Sequence, residues 1–120
     1  MQPAVQNAGL DDADFIEASQ LDGLIEAAGV EGVREILGAF WRSTEGLLVE
    51  LRGQLQRCDR AGASRVAHAL KGSALNVGAV RLAETVRKVE DACKADDFVR
   101  ASLHVSAAEA DYRATILAFE

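Results

Sequence analysis

The sequence predicts an all-α fold, an up-and-down four-helix bundle with a short additional N-terminal helix. Among the 120 residues the only proline is Pro3, so the strongest helix breaker is missing from everything that follows it. Alanine, leucine, glutamate and arginine are abundant, and all four favour helices. Apolar residues recur at steps of three and four, the pattern of helices that bury one face in a bundle.

The N-terminal part of the chain is predicted to hold little regular structure. Residues 1–10 show no periodicity and are expected to form a flexible lead-in, which leaves residues 11–120 for the helical-bundle domain. Phe15 and Ile16 are expected to pack on that domain. Ser19, followed three residues later by Asp22, has the spacing of a capping box.

A short helix is predicted directly after that capping box. Its apolar positions form one stripe: Leu21, Leu24, Ile25 and Ala28. Gly29 is placed to end it. A long helix follows over residues 31–57, and its apolar seam is nearly continuous: Val33, Ile36, Leu37, Phe40, Thr44, Leu47, Leu48, Leu51 and Leu55. Trp41, beside that seam, is expected at the edge of the core.

Three shorter helices complete the predicted bundle. The first spans residues 60–76, with Asp59 as its cap, and Gly78 marks the bend that follows it. The next spans residues 79–94 with one apolar face, made of Leu82, Val86, Val89 and Cys93. Asp96 is placed to cap the last helix, which reaches about residue 119 with apolar positions at Phe98, Val105, Tyr112, Ile116 and Phe119.

Composition excludes several classes of function. The formal net charge is -6, from 19 acidic and 13 basic residues, and no dense basic run is present, which argues against nucleic-acid binding. No segment approaches the roughly 18 apolar residues that a membrane span needs. The N-terminus lacks the basic and apolar regions of a secretory signal, so a cytoplasmic location is expected. Beginning at Met1 with a loose lead-in, the chain is expected to be free-standing.

The cysteines and histidines show no metal-binding pattern. Cys58 and Cys93 have no CxxC spacing and are expected to be buried or half-buried free thiols in helices of a protein in a reducing compartment. Neither His68 nor His104 has a second ligand one turn away, so no metal site is predicted. His104 is interpreted as an incidental surface or rim histidine.

His68 is the candidate for chemistry. With roughly 100° per residue and His68 at zero, the apolar residues Val66, Leu70, Ala74 and Val77 fall between about 160° and 240°. That places His68 on the side of its helix opposite the core. An ordinary surface histidine remains the alternative interpretation.

Three neighbours favour a reactive histidine over that alternative. Lys71 lies one helical turn after His68, where its ammonium can offset the charge of a phosphoryl group on the imidazole. Gly72 leaves the ring unshielded. A glycine inside a helix costs about 1 kcal/mol relative to alanine, so its presence here indicates a packing or functional role. Leu75 adds an exposed apolar position suited to docking. On the helix predicted over residues 79–94, Arg81, Arg87 and Lys88 form a modest basic edge. A solvated face is the default interpretation, and attraction of an acidic partner surface is the alternative.

These residues resemble a known family. The run His68-Ala69-Leu70-Lys71-Gly72-Ser73-Ala74, followed by Val77-Gly78-Ala79 and Leu82, is similar to the signature of histidine-containing phosphotransfer (HPt) domains. The resemblance extends over roughly residues 15–120 in length and helix order. It implies a helical bundle that accepts a phosphoryl group from a receiver-domain aspartate and returns it to another receiver, in either direction.

Carried onto this sequence, the resemblance implies a role for individual residues. His68 would be the phosphoacceptor through Nε2, and Lys71 would stabilise the phosphoryl oxygens. Glu90 matches the position from which the family often orients the histidine by a hydrogen bond, although a plain solvated residue remains the alternative. The binding surface would comprise the exposed neighbours of the histidine and the helix bend: Ser64, Arg65, Gly72, Leu75 and Gly78.

The resemblance also implies partners and excludes some chemistry. The partners would be receiver domains of a hybrid sensor histidine kinase and of a response regulator, with the chain itself a monomer. No cofactor is expected on this chain, and Mg²⁺ is expected on the partner receiver. The chain carries no GxxxxGK loop, so it is predicted to be a phosphocarrier rather than a kinase.

Two rival interpretations stay open at this point. One keeps the same chemistry, with phosphorylation directly by a kinase catalytic domain or with the chain as a part of a larger hybrid kinase. The other is a helical scaffold that binds partners without phosphorylation. The pair Lys71-Gly72 beside an exposed His68 argues against the scaffold, which has no need of that combination.

Overall fold

The computed structural model of the chain describes residues 16–119, apart from the side chain of Ala18. Within that range it contains four α-helices and no strand: α1 (Ala18–Gln56), α2 (Arg60–Asn76), α3 (Val80–Lys94) and α4 (Phe98–Phe119). The all-α prediction is confirmed. The predicted lead-in and Phe15 lie outside the described residues.

The four helices form a closed antiparallel bundle. Each helix packs on the next in the chain, and α4 returns to pack on α1. The connections are short, at residues 57–59, 77–79 and 95–97, and short connections join antiparallel neighbours. The core contains the largest fully buried side chains from all four helices, namely Leu51, Leu70, Leu82, Val86, Val89, Val105, Thr44, Thr115 and Cys93.

The N-terminal half of α1 differs from its prediction in two respects. Gly29 has non-helical angles (φ 76, ψ 170), so a kink divides α1 at the residue where the sequence placed a helix end, with helix on both sides of it. A separate short helix before the kink stays a prediction. The Ser19–Asp22 capping box is wrong, because the N-cap is Glu17, whose side chain accepts a hydrogen bond from the Ser19 backbone N–H at 2.8 Å. Ser19 lies inside the helix.

The turns confirm one predicted cap and correct another. Asp59 caps α2 and accepts a hydrogen bond from the Gly62 backbone N–H at 2.9 Å, as predicted. Asp96 does not cap α4, because its backbone is in the left-handed region (φ 58). The next residue, Asp97, accepts from the Arg100 backbone N–H at 3.0 Å and occupies the capping position instead.

The predicted burial of the two cysteines is correct for Cys93 and wrong for Cys58. Both thiols are free, and Cys93 is buried. Cys58 is exposed with φ 55, because α1 ends at Gln56 and leaves it in the following turn. Among the described helices none is long and apolar enough to cross a membrane.

The long seam of α1 faces the core as predicted, with one exception. Ile36 is 36% exposed, because it lies to one side of the buried line through Val33, Phe40 and Leu48. Trp41 lies at the edge of the core, where its ring packs edge-on against three other aromatic rings: Phe40, Tyr112 and Phe119.

Candidate functional site

His68 lies on the outer side of α2. Val66, Leu70 and Ala74 from the same helix are buried, whereas the His68 side chain is 70% exposed. A helix places residues that are three or four apart on one face, so the apolar spacing that buries one side of α2 necessarily turns His68 outward. The structure thus agrees with the helical-wheel prediction for this residue.

Glu90 reaches His68 from the neighbouring helix. It lies on α3 and is only 6% exposed, because it borders the buried stripe that contains Val86 and Val89. Glu90 Oε2 is 3.3 Å from His68 Nδ1. The family resemblance implied this contact for Glu90, and the structure brings the two side chains together.

Two lysines share the same carboxylate. Lys71 Nζ donates to Glu90 Oε1 at 3.1 Å, and Lys94 Nζ lies 3.5 Å from Glu90 Oε2. The Lys71 side chain is only 27% exposed, so it lies along the α2–α3 seam instead of extending freely into solvent. Lys94 was missed by the sequence analysis, although its position four residues after Glu90 is the usual spacing of a helical ion pair.

These contacts keep Glu90 ionised. Burial by itself would raise the pKa of Glu90, but the hydrogen bond and charge of Lys71, the charge of Lys94 and the His68 hydrogen bond together hold it below its ordinary value. An ionised carboxylate only accepts hydrogen bonds. His68 Nδ1 must therefore carry the proton, which leaves the lone pair of a neutral ring on Nε2.

The residues predicted to surround His68 fall into two groups. Arg65, Gly72 and Leu75 are exposed, with Leu75 at 50%, and Ser64 is half-buried beside them. A Cβ added at Gly72 would meet no atom within 4 Å, so the surface there is open.

Gly78 belongs to the bend between α2 and α3 and not to that surface. It is buried, with φ 77, and its carbonyl accepts from the Glu17 backbone N–H at 2.6 Å. A Cβ at this position would lie 3.0 Å from the Glu17 carbonyl oxygen. Gly78 therefore sets the geometry of the helix pair that carries the site, as the bend prediction requires, and holds the start of α1 against it.

The other described histidine has different surroundings. His104, half-buried on α4, lines a groove of about 630 Å³ against the end of α3, together with Lys88, Asp91, Asp97 and Arg100. Both carboxylates in that groove already have partners, because Asp91 pairs with Arg87 and Asp97 with Arg100. Across the described part of the chain, no group of three His, Cys, Asp or Glu residues is arranged to hold a metal ion.

The fold and the site together define a class of protein, a helical bundle that displays a histidine on its surface and supports it with an ionised carboxylate from the next helix. Comparison with known proteins identifies that class. The Hpt domain model matches residues 35–118, more than half of the chain, and the chain belongs to this family.

Solved structures of the family have the same fold. Histidine-containing phosphotransfer protein B (HptB) of Pseudomonas aeruginosa PAO1 is 27% identical, with 87% of this chain and 90% of that chain covered and a TM-score of 0.81. Histidine-containing phosphotransfer protein ZmHP2 from maize is 20% identical, with 96% and 87% covered and a TM-score of 0.81, and supports the fold alone. No curated protein sequence matches the chain significantly.

Family membership defines the general role. The chain takes part in histidine phosphotransfer within two-component phosphorelay, in which members of the family are phosphocarriers and not kinases. The family interacts with receiver domains of kinases and of response regulators.

Proposed function

We propose that His68 is the phosphoacceptor of this chain, and that it takes a phosphoryl group from the aspartate of one receiver domain and passes it to another. One observation carries the proposal: His68 combines a 70% exposed ring with an Nδ1 held by the nearly buried Glu90. Exposure gives a partner access to the ring, and the carboxylate directs the free lone pair to Nε2.

The transfer step needs no acid or base from this chain. The Nε2 lone pair attacks phosphorus in line, the bond between phosphorus and the aspartyl oxygen breaks, and the partner's carboxylate leaves with the electron pair. The ring gains positive charge as the new N–P bond forms, and its Nδ1–H faces ionised Glu90, which stabilises that charge. In the reverse step the imidazole leaves phosphorus with the same electron pair.

Lys71 is suited to stabilise the phosphoryl oxygens. It lies one turn after His68 on the same helix, and its ammonium is held beside the ring through Glu90 Oε1. A compact ammonium on a flexible stem can turn from that carboxylate to a phosphoryl group on Nε2. Mg²⁺ on the receiver would neutralise charge from the partner's side, and we propose no metal or other cofactor on this chain.

The receiver is proposed to dock on the exposed surface around His68. That surface comprises Ser64, Arg65, Gly72 and Leu75, with open space over Gly72 and an apolar contact at Leu75. The proposed partners are receiver domains of a hybrid sensor kinase and of a response regulator. A monomer in the cytoplasm suits this exchange, because each receiver must reach the same face in turn.

Label transfer from a receiver tests the proposal. A phosphorylated, radiolabelled receiver is mixed with the wild-type chain, with His68→Gln and with the control His104→Gln, which removes the other histidine. Acid-labile label is expected on the wild type and on His104→Gln at equal levels, and none on His68→Gln. Label that persists on folded His68→Gln would overturn the assignment.

A further inference from the structure

Lys94 contacts the site from a position that the phosphotransfer signature does not include. It is the last residue of α3, and its Nζ lies 3.5 Å from Glu90 Oε2, the same oxygen that faces His68 Nδ1. Its side chain is 62% exposed, against 27% for Lys71 on the other carboxylate oxygen. Glu90 is thus paired with one lysine that is largely covered and one that is largely exposed.

A phosphoryl group on His68 would draw Lys71, but not Lys94, away from Glu90. Lys71 lies on the same helix as His68, one turn away, and is the lysine that can turn to the phosphoryl oxygens. Its departure would remove the 3.1 Å contact from a carboxylate that is only 6% exposed. A nearly buried carboxylate that kept only the His68 hydrogen bond, with no cation beside it, would be disfavoured, and Glu90 would then take up a proton or hold Lys71 back.

We propose that Lys94 is a positioning residue that keeps Glu90 ionised while Lys71 is engaged by the phosphoryl group. Lys94 lies one turn after Glu90 on α3, so it can stay with the carboxylate when Lys71 leaves. Glu90 then continues to accept the Nδ1 hydrogen bond throughout the transfer. This role depends on the proposed function, because without phosphorylation of His68 nothing draws Lys71 away.

The groups that face Glu90 come from two helices. His68 and Lys71 approach it from α2, and Lys94 approaches from its own helix. The buried Cys93 thiol is also close: burial and then the charge of Glu90 raise the pKa of that thiol. None of the ion pairs found among the described residues joins Glu90 to α4. Replacing Lys94 therefore removes one of the two lysines that pair with this carboxylate.

The first test follows the ionisation of Glu90 without any phosphotransfer. The carboxyl carbon of Glu90 is titrated by ¹³C NMR in the wild type, Lys94→Gln, Lys94→Arg and the control Arg34→Gln, which removes one exposed cation from an ion pair with Glu31. The Glu90 midpoint should rise in Lys94→Gln, return towards the wild-type value in Lys94→Arg, and stay unchanged in Arg34→Gln. An unchanged midpoint in Lys94→Gln would overturn the proposal.

The second test measures the transfer rate from a phosphorylated receiver across pH in the same four proteins. Lys94→Gln should lower the transfer rate by about two- to fivefold, the effect expected for a partly exposed charge. The fall of the rate on the acid side of its pH profile should begin at a higher pH than in the wild type. Lys94→Arg should restore the rate. If the wild type transfers, His68→Gln does not, and Lys94→Gln has the wild-type pH profile, the role of Lys94 is wrong and the assignment of His68 stands.

Discussion

The two described histidines show what makes one of them suitable for phosphotransfer. His68 on α2 and His104 on α4 both lie beside α3, and both have cationic neighbours. His68 meets a carboxylate that is nearly buried and still ionised, at 3.3 Å from Nδ1. The carboxylates near His104 are engaged by arginines, and the ring is half-buried in a groove. What distinguishes His68 is an exposed ring whose Nδ1 has a carboxylate within hydrogen-bond distance.

The difference between the two histidines originates in how α3 packs between α2 and α4. Its buried face packs on both α2 and α4, and Glu90 stands at the border of this face on the α2 side. A carboxylate at a border is shielded from water yet close enough to charges on the next helix to stay ionised. On the opposite border, Thr85 donates to Asp111 on α4 at 2.5 Å, so that carboxylate serves the packing of α3 on α4.

The largest expected effect on phosphotransfer comes from replacing Glu90, the carboxylate that His68 has and His104 lacks. Replacing Glu90 with leucine removes the acceptor from Nδ1 and the partner from Lys71, so the ring loses its fixed orientation. Transfer to His68 should fall by roughly a hundredfold, the cost of a misplaced reactive group. Rates measured with a phosphorylated receiver check this, and circular dichroism confirms folding. Glu90→Gln, which keeps an acceptor oxygen, should lose much less; equal loss in both variants would contradict the orienting role.

The next effect concerns Lys71. Lys71→Ala should slow transfer by about tenfold, because one charge-assisted contact to the phosphoryl group is lost. Folding should be only slightly weakened, by about 1 kcal/mol, since Lys94 still compensates Glu90. Transfer kinetics and urea unfolding of the same variant separate the two effects. A large loss of stability with an unchanged transfer rate would show that Lys71 serves the fold and not the phosphoryl group.

The sequence predicted the position of His68 well, because helical periodicity alone decides which side of α2 is buried. Glu90 came from the family resemblance, and the structure places it beside His68 from the next helix. The bridging of Glu90 by Lys71 was beyond the sequence, because that contact depends on side-chain conformations across two helices. The caps were less predictable: neighbouring acidic residues compete at the start of α4, and the left-handed backbone of Asp96 leaves the position to Asp97.

A smaller effect is expected from Gly72, with Gly46 as a matched control. Both glycines lie exposed inside helices, and a Cβ at either would meet no atom within 4 Å. Each Gly→Ala change should stabilise the fold by about 1 kcal/mol. Only Gly72→Leu should weaken receiver docking, by several-fold in the receiver concentration that gives half-maximal transfer. Equal transfer kinetics for Gly72→Leu and Gly46→Leu would place the docking surface elsewhere.

The smallest expected effect is the response of stability to acid. The pKa of Glu90 is lowered in the folded chain, so its contribution is present above the ordinary value of 4.5 and is lost as pH falls through the folded value. The stability gap between the wild type and Glu90→Gln should therefore narrow as the pH is lowered from 6 to 3. Urea unfolding across this range measures it. A gap that is constant with pH would mean that Glu90 is not held ionised.

The most direct measurement of the central claim locates the phosphoryl group atom by atom. The ¹⁵N-labelled chain is phosphorylated by a receiver, and the coupling between phosphorus and the ring nitrogens is read by NMR. The account predicts coupling to Nε2 of His68, with Nδ1 still protonated and facing Glu90. Phosphorus coupled to Nδ1 of His68, or to a nitrogen of His104, would contradict it.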